Sequence, residues 1–287
     1  MLPFRSIRCA VALLALIFTL SAAASPDLSK SITGSASDGL GNTMPYRLFR
    51  PPGYDTPGAK FPLVLFLHGA GERGTNNTSQ VNSHIDGLVN ATQSAPYASY
   101  LLAPQVATGN QFVDVPFNTG SFTNATAPAQ SISMALTLQI LDLVLSNTNI
   151  DTNRIYVTGL SMGGYGTWDI LGRRPNLFAA AAPMSGGGNT STAATIKNIP
   201  IWDFHGSADG TVPVSGSRDM IAALQAAGGV PKYTELAGQG HVIWAPIYTD
   251  TTTSGQFYPW LFSQSVPEPG VIGLVAVALG MMGRRRR

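Results

Sequence analysis

Residues 158–164 have the sequence Thr-Gly-Leu-Ser-Met-Gly-Gly, which contains the pattern Gly-x-Ser-x-Gly. A strand-like run at residues 154–157 precedes this pattern, and a helix-like run through Trp168 and Leu171 follows it. A strand, a tight turn and a helix form the context of a nucleophile elbow, which lifts a serine hydroxyl above the edge of a sheet. This context predicts that Ser161 is a nucleophile. The alternative is a glycine-rich turn with an incidental serine.

The two glycines of the pattern have a steric purpose in such an elbow. A side chain on either side of the serine would collide with the neighbouring strand or helix, and Gly159 and Gly163 avoid that collision. Met162 follows the serine at the start of the expected helix. Its backbone N–H is therefore expected to point at negative charge that develops on a reacting carbonyl oxygen.

A second stretch predicts the other half of such a site. Residues 61–67 form a continuous apolar run, which is typical of a strand buried on both faces of a parallel sheet. The run ends at His68 and a glycine-rich loop, from which we expect the Ala70 N–H as a second oxyanion donor. His68 ends a strand and is expected to hold this loop rather than act as a base. Glu72 and Arg73 either pair with each other or one of them faces the substrate.

Strand-like and helix-like segments alternate along the rest of the chain. This alternation predicts an α/β fold, with a mostly parallel sheet and helices on both faces. Strands are expected at residues 44–50 (an edge strand), 99–103, 153–158, 178–183, 201–204 and 232–236, and helices at 129–145, 162–173, 220–227 and 256–263.

A reactive serine needs a base and an acid, which follow it in the order Asp or Glu, then His, in this type of fold. Asp209 lies in a loop after a strand that ends near His205, and His241 follows the next strand. Asp203 and Asp219 are rivals for the acid, but one is expected within a strand and the other within a helix. We therefore predict Asp209 as the orienting acid and His241 as the base.

With these motifs assembled, residues 44–263 resemble serine esterases of the α/β-hydrolase superfamily. The phospholipase/carboxylesterase and prolyl-oligopeptidase-like groups are most similar, followed by polyhydroxybutyrate-depolymerase-like and feruloyl esterases. The matching motifs are residues 67–74, 159–166, 205–209 and 240–241. The resemblance implies the α/β-hydrolase fold without a large lid domain. It implies the same roles for Ser161, Asp209, His241, Ala70 and Met162, with no cofactor and no metal.

The resemblance does not extend to the substrate. Two tryptophans and three loop phenylalanines either shape an apolar acyl pocket or belong to the core: Trp202, Trp244, Phe112, Phe117 and Phe122. Of these, we take Trp202, Trp244 and Phe112 as candidate substrate-binding residues. A carboxylesterase that forms an acyl-enzyme is the expected activity. A serine peptidase on the same machinery and a catalytically silent surface-binding module are the alternatives.

Composition is consistent with a globular catalytic domain that has apolar ends. The chain has 287 residues, of which 44% are hydrophobic and 11% charged. Its formal net charge of +2 depends on arginines at the two ends, so nothing predicts a nucleic-acid partner. The one cysteine, Cys9, lies in the amino-terminal segment, so a processed chain would have no disulfide or thiolate metal site.

The two ends resemble targeting signals around a catalytic domain at residues 25–265. Residues 1–24 have a basic start, an apolar stretch and a small-residue end, as in a cleaved signal peptide, and an uncleaved anchor is the alternative. Residues 266–287 contain Pro-Glu-Pro, an apolar run and four arginines. This segment resembles the PEP-CTERM sorting signal, which implies an exosortase-type partner and export to the surface of a Gram-negative bacterium. A simple tail anchor is the alternative, and in either case the membrane is contacted only through this segment.

Overall fold

An eight-stranded sheet runs through residues 26–266, the part of the chain that the computed structural model describes. The predicted signal peptide and the Pro-Glu-Pro segment lie outside the described residues. The strand order is β1-β2-β4-β3-β5-β6-β7-β8. The strands are β1 (Ser31–Ser37), β2 (Thr43–Phe49), β3 (Phe61–Leu67), β4 (Tyr100–Pro104), β5 (Ile150–Leu160), β6 (Ala180–Met184), β7 (Trp202–Gly206) and β8 (Lys232–Leu236).

Only the first two strand pairs are antiparallel. β1 pairs with β2 and β2 with β4 in antiparallel register, whereas all pairs from β4 to β8 are parallel. The carboxyl ends of the parallel strands therefore meet at one edge of the sheet, where ligands of such folds bind. The prediction of a mostly parallel sheet is confirmed.

Helices cover both faces of the sheet, because its central strands are apolar on both sides. Leu63 and Leu65 of β3 belong to one buried cluster, whereas Val64 and Phe66 belong to the other. Helices α2 to α5 contribute to the first cluster, and α1, α6 and α7 contribute to the second. The helices are α1 (Asp86–Thr92), α2 (Ile132–Asn147), α3 (Met162–Arg173), α4 (Ala193–Ile196), α5 (Ser215–Ala226), α6 (Trp244–Tyr248) and α7 (Phe257–Phe262).

The prediction that residues 44–50 form an edge strand is wrong. β2 is the second strand, and β1 lies outside it. The sequence of β1 is polar, and among its seven residues only Ala36 is buried. An outermost strand that packs against so little of the core has no alternation of apolar residues by which it can be recognised.

The long connection between β4 and α2 packs onto the body of the domain. Phe112 and Phe122 are both buried in the first cluster, so they pin this connection down. Within residues 26–266 the fold has no separate lid domain, as expected. Among the same residues, no helix is both long enough and apolar enough to cross a membrane.

Candidate active site

Ser161 stands on a strained turn between β5 and α3. Its backbone angles are φ 55° and ψ −116°, a conformation that non-glycine residues rarely adopt. A Cβ atom at Gly159 would lie 2.4 Å from the Gly163 carbonyl oxygen, and one at Gly163 would lie 1.8 Å from the Leu67 carbonyl oxygen. Glycine is therefore required at both positions, and the strand–turn–helix prediction is confirmed.

The structure brings Ser161, His241 and Asp209 into one hydrogen-bonded row. The Nε2 atom of His241 lies 2.8 Å from Ser161 Oγ, and its Nδ1 atom lies 2.7 Å from Asp209 Oδ2. The side chain of Asp209 has no exposed surface, whereas that of His241 is 17% exposed. A nucleophile, a base and an orienting acid occupy such positions in serine hydrolases.

The surroundings of Asp209 favour its ionised form. Its Oδ1 atom accepts hydrogen bonds from the backbone N–H groups of Thr211 at 2.8 Å and Val212 at 2.9 Å. Burial by itself would raise the pKa of Asp209, but hydrogen bonds from His205, His241 and these amides hold the pKa well below its usual range. A carboxylate can only accept at Oδ2, so His241 carries its proton on Nδ1. Its Nε2 atom is then free to accept the Ser161 proton.

Hydrogen bonds from backbone N–H groups join the loop that carries Asp209 to the loop that carries His241. The Ala208 N–H donates to the Gln239 carbonyl oxygen at 2.9 Å, and the Gly238 N–H donates to Ser207 Oγ at 2.8 Å. On the other side, the Ser185 hydroxyl donates to the His241 carbonyl oxygen at 3.0 Å. These contacts fix the acid and the base relative to each other before a substrate arrives.

Two backbone segments beside Ser161 are suited to hold an oxyanion. Met162 is the first residue of α3, where amide groups lack carbonyl partners within the helix. Ala70 follows β3 and lines the same pocket as Ser161. These are the two positions that the sequence singled out.

His68 holds the Ala70 loop, as the sequence indicated. It is fully buried, its Nε2 atom accepts from the Val106 N–H at 2.9 Å, and its Nδ1 atom donates to the Gly69 carbonyl oxygen at 2.6 Å. Burial lowers the pKa of His68 to about 4. The ring is therefore neutral at pH 7.

A small pocket of about 290 Å³ opens at the Ser161 hydroxyl. Its walls combine glycine-rich backbone, apolar side chains and one carboxylate. The lining residues are Gly69, Ala70, Gly71, Glu72, Phe117, Leu160, Ser161, Thr211, His241 and Trp244.

Of the three candidate substrate-binding residues, Trp244 alone reaches this pocket. Its ring lies 5.5 Å from the His241 ring, edge to face. Trp202 and Phe112 are not among the lining residues, so the expectation that they bind the substrate is wrong. Trp202 stacks on Phe204 with ring centroids 5.0 Å apart, and Phe112 is fully buried. Both belong to the core.

The pocket also contains Phe117, one of the loop phenylalanines that the sequence left open as pocket or core, and two residues to which the sequence analysis gave no role. Phe117, Leu160 and Thr211 line it. Phe117 lies in a short helical turn of the long connection, where no periodic pattern indicates which side chains turn inward. Thr211 was identifiable in principle, because it follows the candidate acid by two residues.

The two charged residues of the loop after β3, Glu72 and Arg73, point in different directions. Glu72 lines the pocket, and its carboxylate accepts from Asn82 Nδ2 at 3.3 Å. Arg73 turns away and donates to the carbonyl oxygens of Ala70 and Asn110. The two do not pair, and Glu72 is the one whose side chain faces the pocket at Ser161. Within residues 26–266, no group of three or more His, Cys, Asp or Glu side chains is arranged to hold a metal ion.

The strand order, the elbow and the pocket define an α/β-hydrolase fold with a serine at its centre. Comparison with known proteins identifies the family: the model described as "Putative esterase" matches residues 37–260, and the chain belongs to this family of ester hydrolases. A thermostable esterase of known crystal structure is 37% identical, with a TM-score of 0.72. The alignment covers 83% of this chain and 64% of that one.

Two further relatives match this chain at lower sequence identity and over a shorter stretch than the thermostable esterase does. A bifunctional acetylxylan esterase/xylanase of Neocallimastix patriciarum is 30% identical over 148 residues, which cover 52% of this chain and 19% of that protein. A poly(3-hydroxybutyrate) depolymerase of Ralstonia pickettii is 28% identical over 184 residues, which cover 63% of this chain and 37% of that protein. The chain thus spans less than two thirds of the length of each of these three proteins.

Proposed function

We propose that this chain is a carboxylesterase that acts through Ser161, His241 and Asp209. The observation that supports this most directly is the row of contacts from Asp209 Oδ2 through the His241 ring to Ser161 Oγ, with lengths of 2.7 Å and 2.8 Å. An imidazole so placed takes the serine proton as the hydroxyl attacks, and the carboxylate stabilises the imidazolium that forms.

Acylation follows from this arrangement. Ser161 Oγ bonds to the ester carbonyl carbon while its proton moves to His241 Nε2. The backbone N–H groups of Ala70 and Met162 stabilise the resulting oxyanion. When the tetrahedral intermediate collapses, the carbon–oxygen bond to the alcohol breaks, and His241 returns the proton to the leaving oxygen.

Deacylation reverses the roles. Water attacks the acyl-enzyme while His241 Nε2 takes one of its protons, and the second tetrahedral intermediate uses the same two amides. The carboxylic acid leaves, and Ser161 recovers its proton from His241. Every proton in both halves passes through one nitrogen atom.

The decisive experiment compares Ser161→Ala with the wild type on p-nitrophenyl acetate. The variant should lose at least about 10³-fold in kcat and keep its folded structure, because the oxyanion donors and the pocket remain. Ser263→Ala, which removes an exposed serine hydroxyl at the end of α7, is the matched control. A fluorophosphonate probe should label the wild type and the control but not Ser161→Ala. Wild-type turnover by Ser161→Ala would overturn the proposal.

We further propose that the enzyme is exported and processed at both ends. The support is the composition of residues 1–24 and 266–287, which flank the esterase match at residues 37–260. Intact mass spectrometry of protein recovered from the producing cells should show cleavage near residue 24 and removal of the carboxyl-terminal segment by an exosortase-type protease. A full-length mass in the cytoplasmic fraction would contradict export.

A further inference from the structure

A second histidine, His205, contacts the candidate acid at the same oxygen as His241. His205 is the penultimate residue of β7, is fully buried, and its Nε2 atom lies 3.2 Å from Asp209 Oδ2. The same nitrogen lies 3.1 Å from the Val212 carbonyl oxygen. None of the proton transfers described above passes through this ring.

The protonation of the His205 ring follows from its neighbours. Both groups facing Nε2, a carbonyl oxygen and an ionised carboxylate, can only accept hydrogen bonds. Nε2 therefore carries a proton that is shared between Val212 and Asp209. On the other side of the ring, Nδ1 lies 2.7 Å from Ser217 Oγ of α5, within hydrogen-bond distance.

His205 thus connects three elements of the fold to one carboxylate. Its backbone is fixed in β7, its Nδ1 atom is anchored to α5, and its Nε2 atom holds the loop at two points, Val212 and Asp209. Asp209 Oδ2 is contacted by both histidines, because His241 Nδ1 lies 2.7 Å from the same oxygen. A rotation of the carboxylate would break both contacts together.

We infer that His205 is a positioning residue for the reaction, which acts through Asp209 by holding Oδ2 at the distance that orients His241. The inference rests on the proposed function. Groups that orient a reacting residue from behind reduce activity when removed, even though they never touch the substrate. Loss of His205 should therefore reduce kcat more than it changes KM.

The test is a double-mutant cycle with His205→Leu and Asp209→Ala. On p-nitrophenyl acetate, His205→Leu should lower kcat by about 10- to 100-fold and change KM by less than about twofold. In the Asp209→Ala background the same change should cost less than about threefold, because the group through which His205 acts is gone. Equal losses in the two backgrounds would overturn the inference.

A spectroscopic readout makes the test independent of turnover. The His241 Nδ1 proton, which is shared with Asp209, should give a far-downfield proton resonance in the wild type. His205→Leu should shift or broaden this resonance, and an unchanged resonance would count against the inference. Should Ser161→Ala retain esterase activity, the proposed function fails, but this resonance still reports on the contact between His205 and Asp209.

Three further variants separate positioning from stability. His205→Gln retains an N–H near the position of Nε2 and should recover most of kcat, whereas a loss as large as that of His205→Leu would contradict the role of the donor. Ser217→Ala leaves the strand intact and should give a smaller kcat loss, which serves as the test if His205→Leu does not fold. Thr137→Val removes a fully buried hydroxyl of α2 and should leave kcat unchanged.

Discussion

His241 Nε2 and Ser161 Oγ lie 2.8 Å apart, although 80 positions separate the two residues in the chain. The sheet order explains how they meet. Ser161 follows β5 and His241 follows β8, and both loops leave the carboxyl edge of one parallel sheet. A contact over this sequence distance forms only when the intervening strands are in register, so activity reports on the integrity of half the sheet.

We predict that Gly163→Ala prevents formation of the elbow. The added methyl group would lie 1.8 Å from the Leu67 carbonyl oxygen, which is backbone and cannot move aside. We expect a loss of several kcal/mol in the free energy of unfolding, or no folded protein. The matched control is Gly172→Ala in the same helix, where the nearest atom is the Thr192 methyl group at 3.1 Å. Chemical denaturation should show a change within about 1 kcal/mol for the control.

We predict that Glu72 makes the pocket discriminate against anionic esters. Its carboxylate shares the pocket with Ser161, so a substrate carboxylate would meet a like charge. A repulsion of about 1 kcal/mol corresponds to roughly fivefold in kcat/KM. In Glu72→Gln, the ratio of kcat/KM for p-nitrophenyl hemisuccinate to that for p-nitrophenyl butyrate should rise by at least this factor.

The control for this measurement is Asp219→Asn. That carboxylate lies on α5, accepts a hydrogen bond from Ser121 Oγ and is not among the pocket residues. It should leave the ratio unchanged. If Glu72→Gln also leaves it unchanged, Glu72 does not select among substrates by charge.

We predict opposite effects for two tryptophans that look alike in the sequence. Trp202→Phe should lower the free energy of unfolding by about 1–3 kcal/mol, because it removes contacts with Phe204 and with Lys232 Nζ, 3.5 Å from the ring centroid. Its kcat/KM should stay within about twofold of the wild type. Trp244→Phe should lower kcat/KM by about tenfold, since the indole packs against His241. Thermal unfolding and ester kinetics on both variants test the pair, and the reverse pattern would contradict the pocket assignment.

We predict that Asp203→Asn stabilises the protein at alkaline pH. Asp203 is fully buried, and burial raises its pKa from 3.8 to about 7, an effect that the neighbouring Ser217 hydroxyl and His205 only partly offset. Between pH 3.8 and about pH 7, Asp203 keeps its proton in the folded state but releases it in the unfolded state. The free energy of unfolding therefore falls as pH rises through this range. Above about pH 7 the cost is complete, on the order of a few kcal/mol. An asparagine at this position cannot ionise, so the variant does not lose this part of the free energy of unfolding as pH rises.

Urea denaturation from pH 4 to pH 8 measures this effect. The advantage of Asp203→Asn over the wild type should grow with pH and level off above about pH 7. The low pKa of His68 affects both proteins equally and cancels in the difference. Asp55→Asn, at an exposed position, should show no such trend, and a pH-independent difference for Asp203→Asn would contradict the assigned protonation.

The parts of the site that were predictable depend on backbone geometry that few residues can adopt. Gly159, Ser161 and Gly163 have a spacing that only a tight strand-to-helix turn explains. The order of Ser161, Asp209 and His241 then follows from the connection of parallel strands. The structure brings these three together as the motifs indicated.

What the sequence did not disclose is the direction of individual side chains. Trp202 begins β7 and Trp244 begins α6, and only the packed structure shows that Trp244 reaches the pocket and Trp202 does not. β1 was missed because a polar outermost strand carries no apolar period. His205 lies four residues before Asp209, but its contact depends on how the loop folds back.

The bonds between the Asp209 loop and the His241 loop have a consequence for directed evolution. Ala208 and Gln239 are joined through main-chain atoms, so their side chains are not needed to hold the two loops together and are free to vary. A library randomised at these two positions should yield active clones of diverse composition, because the main-chain contact that aligns the acid with the base does not depend on either side chain.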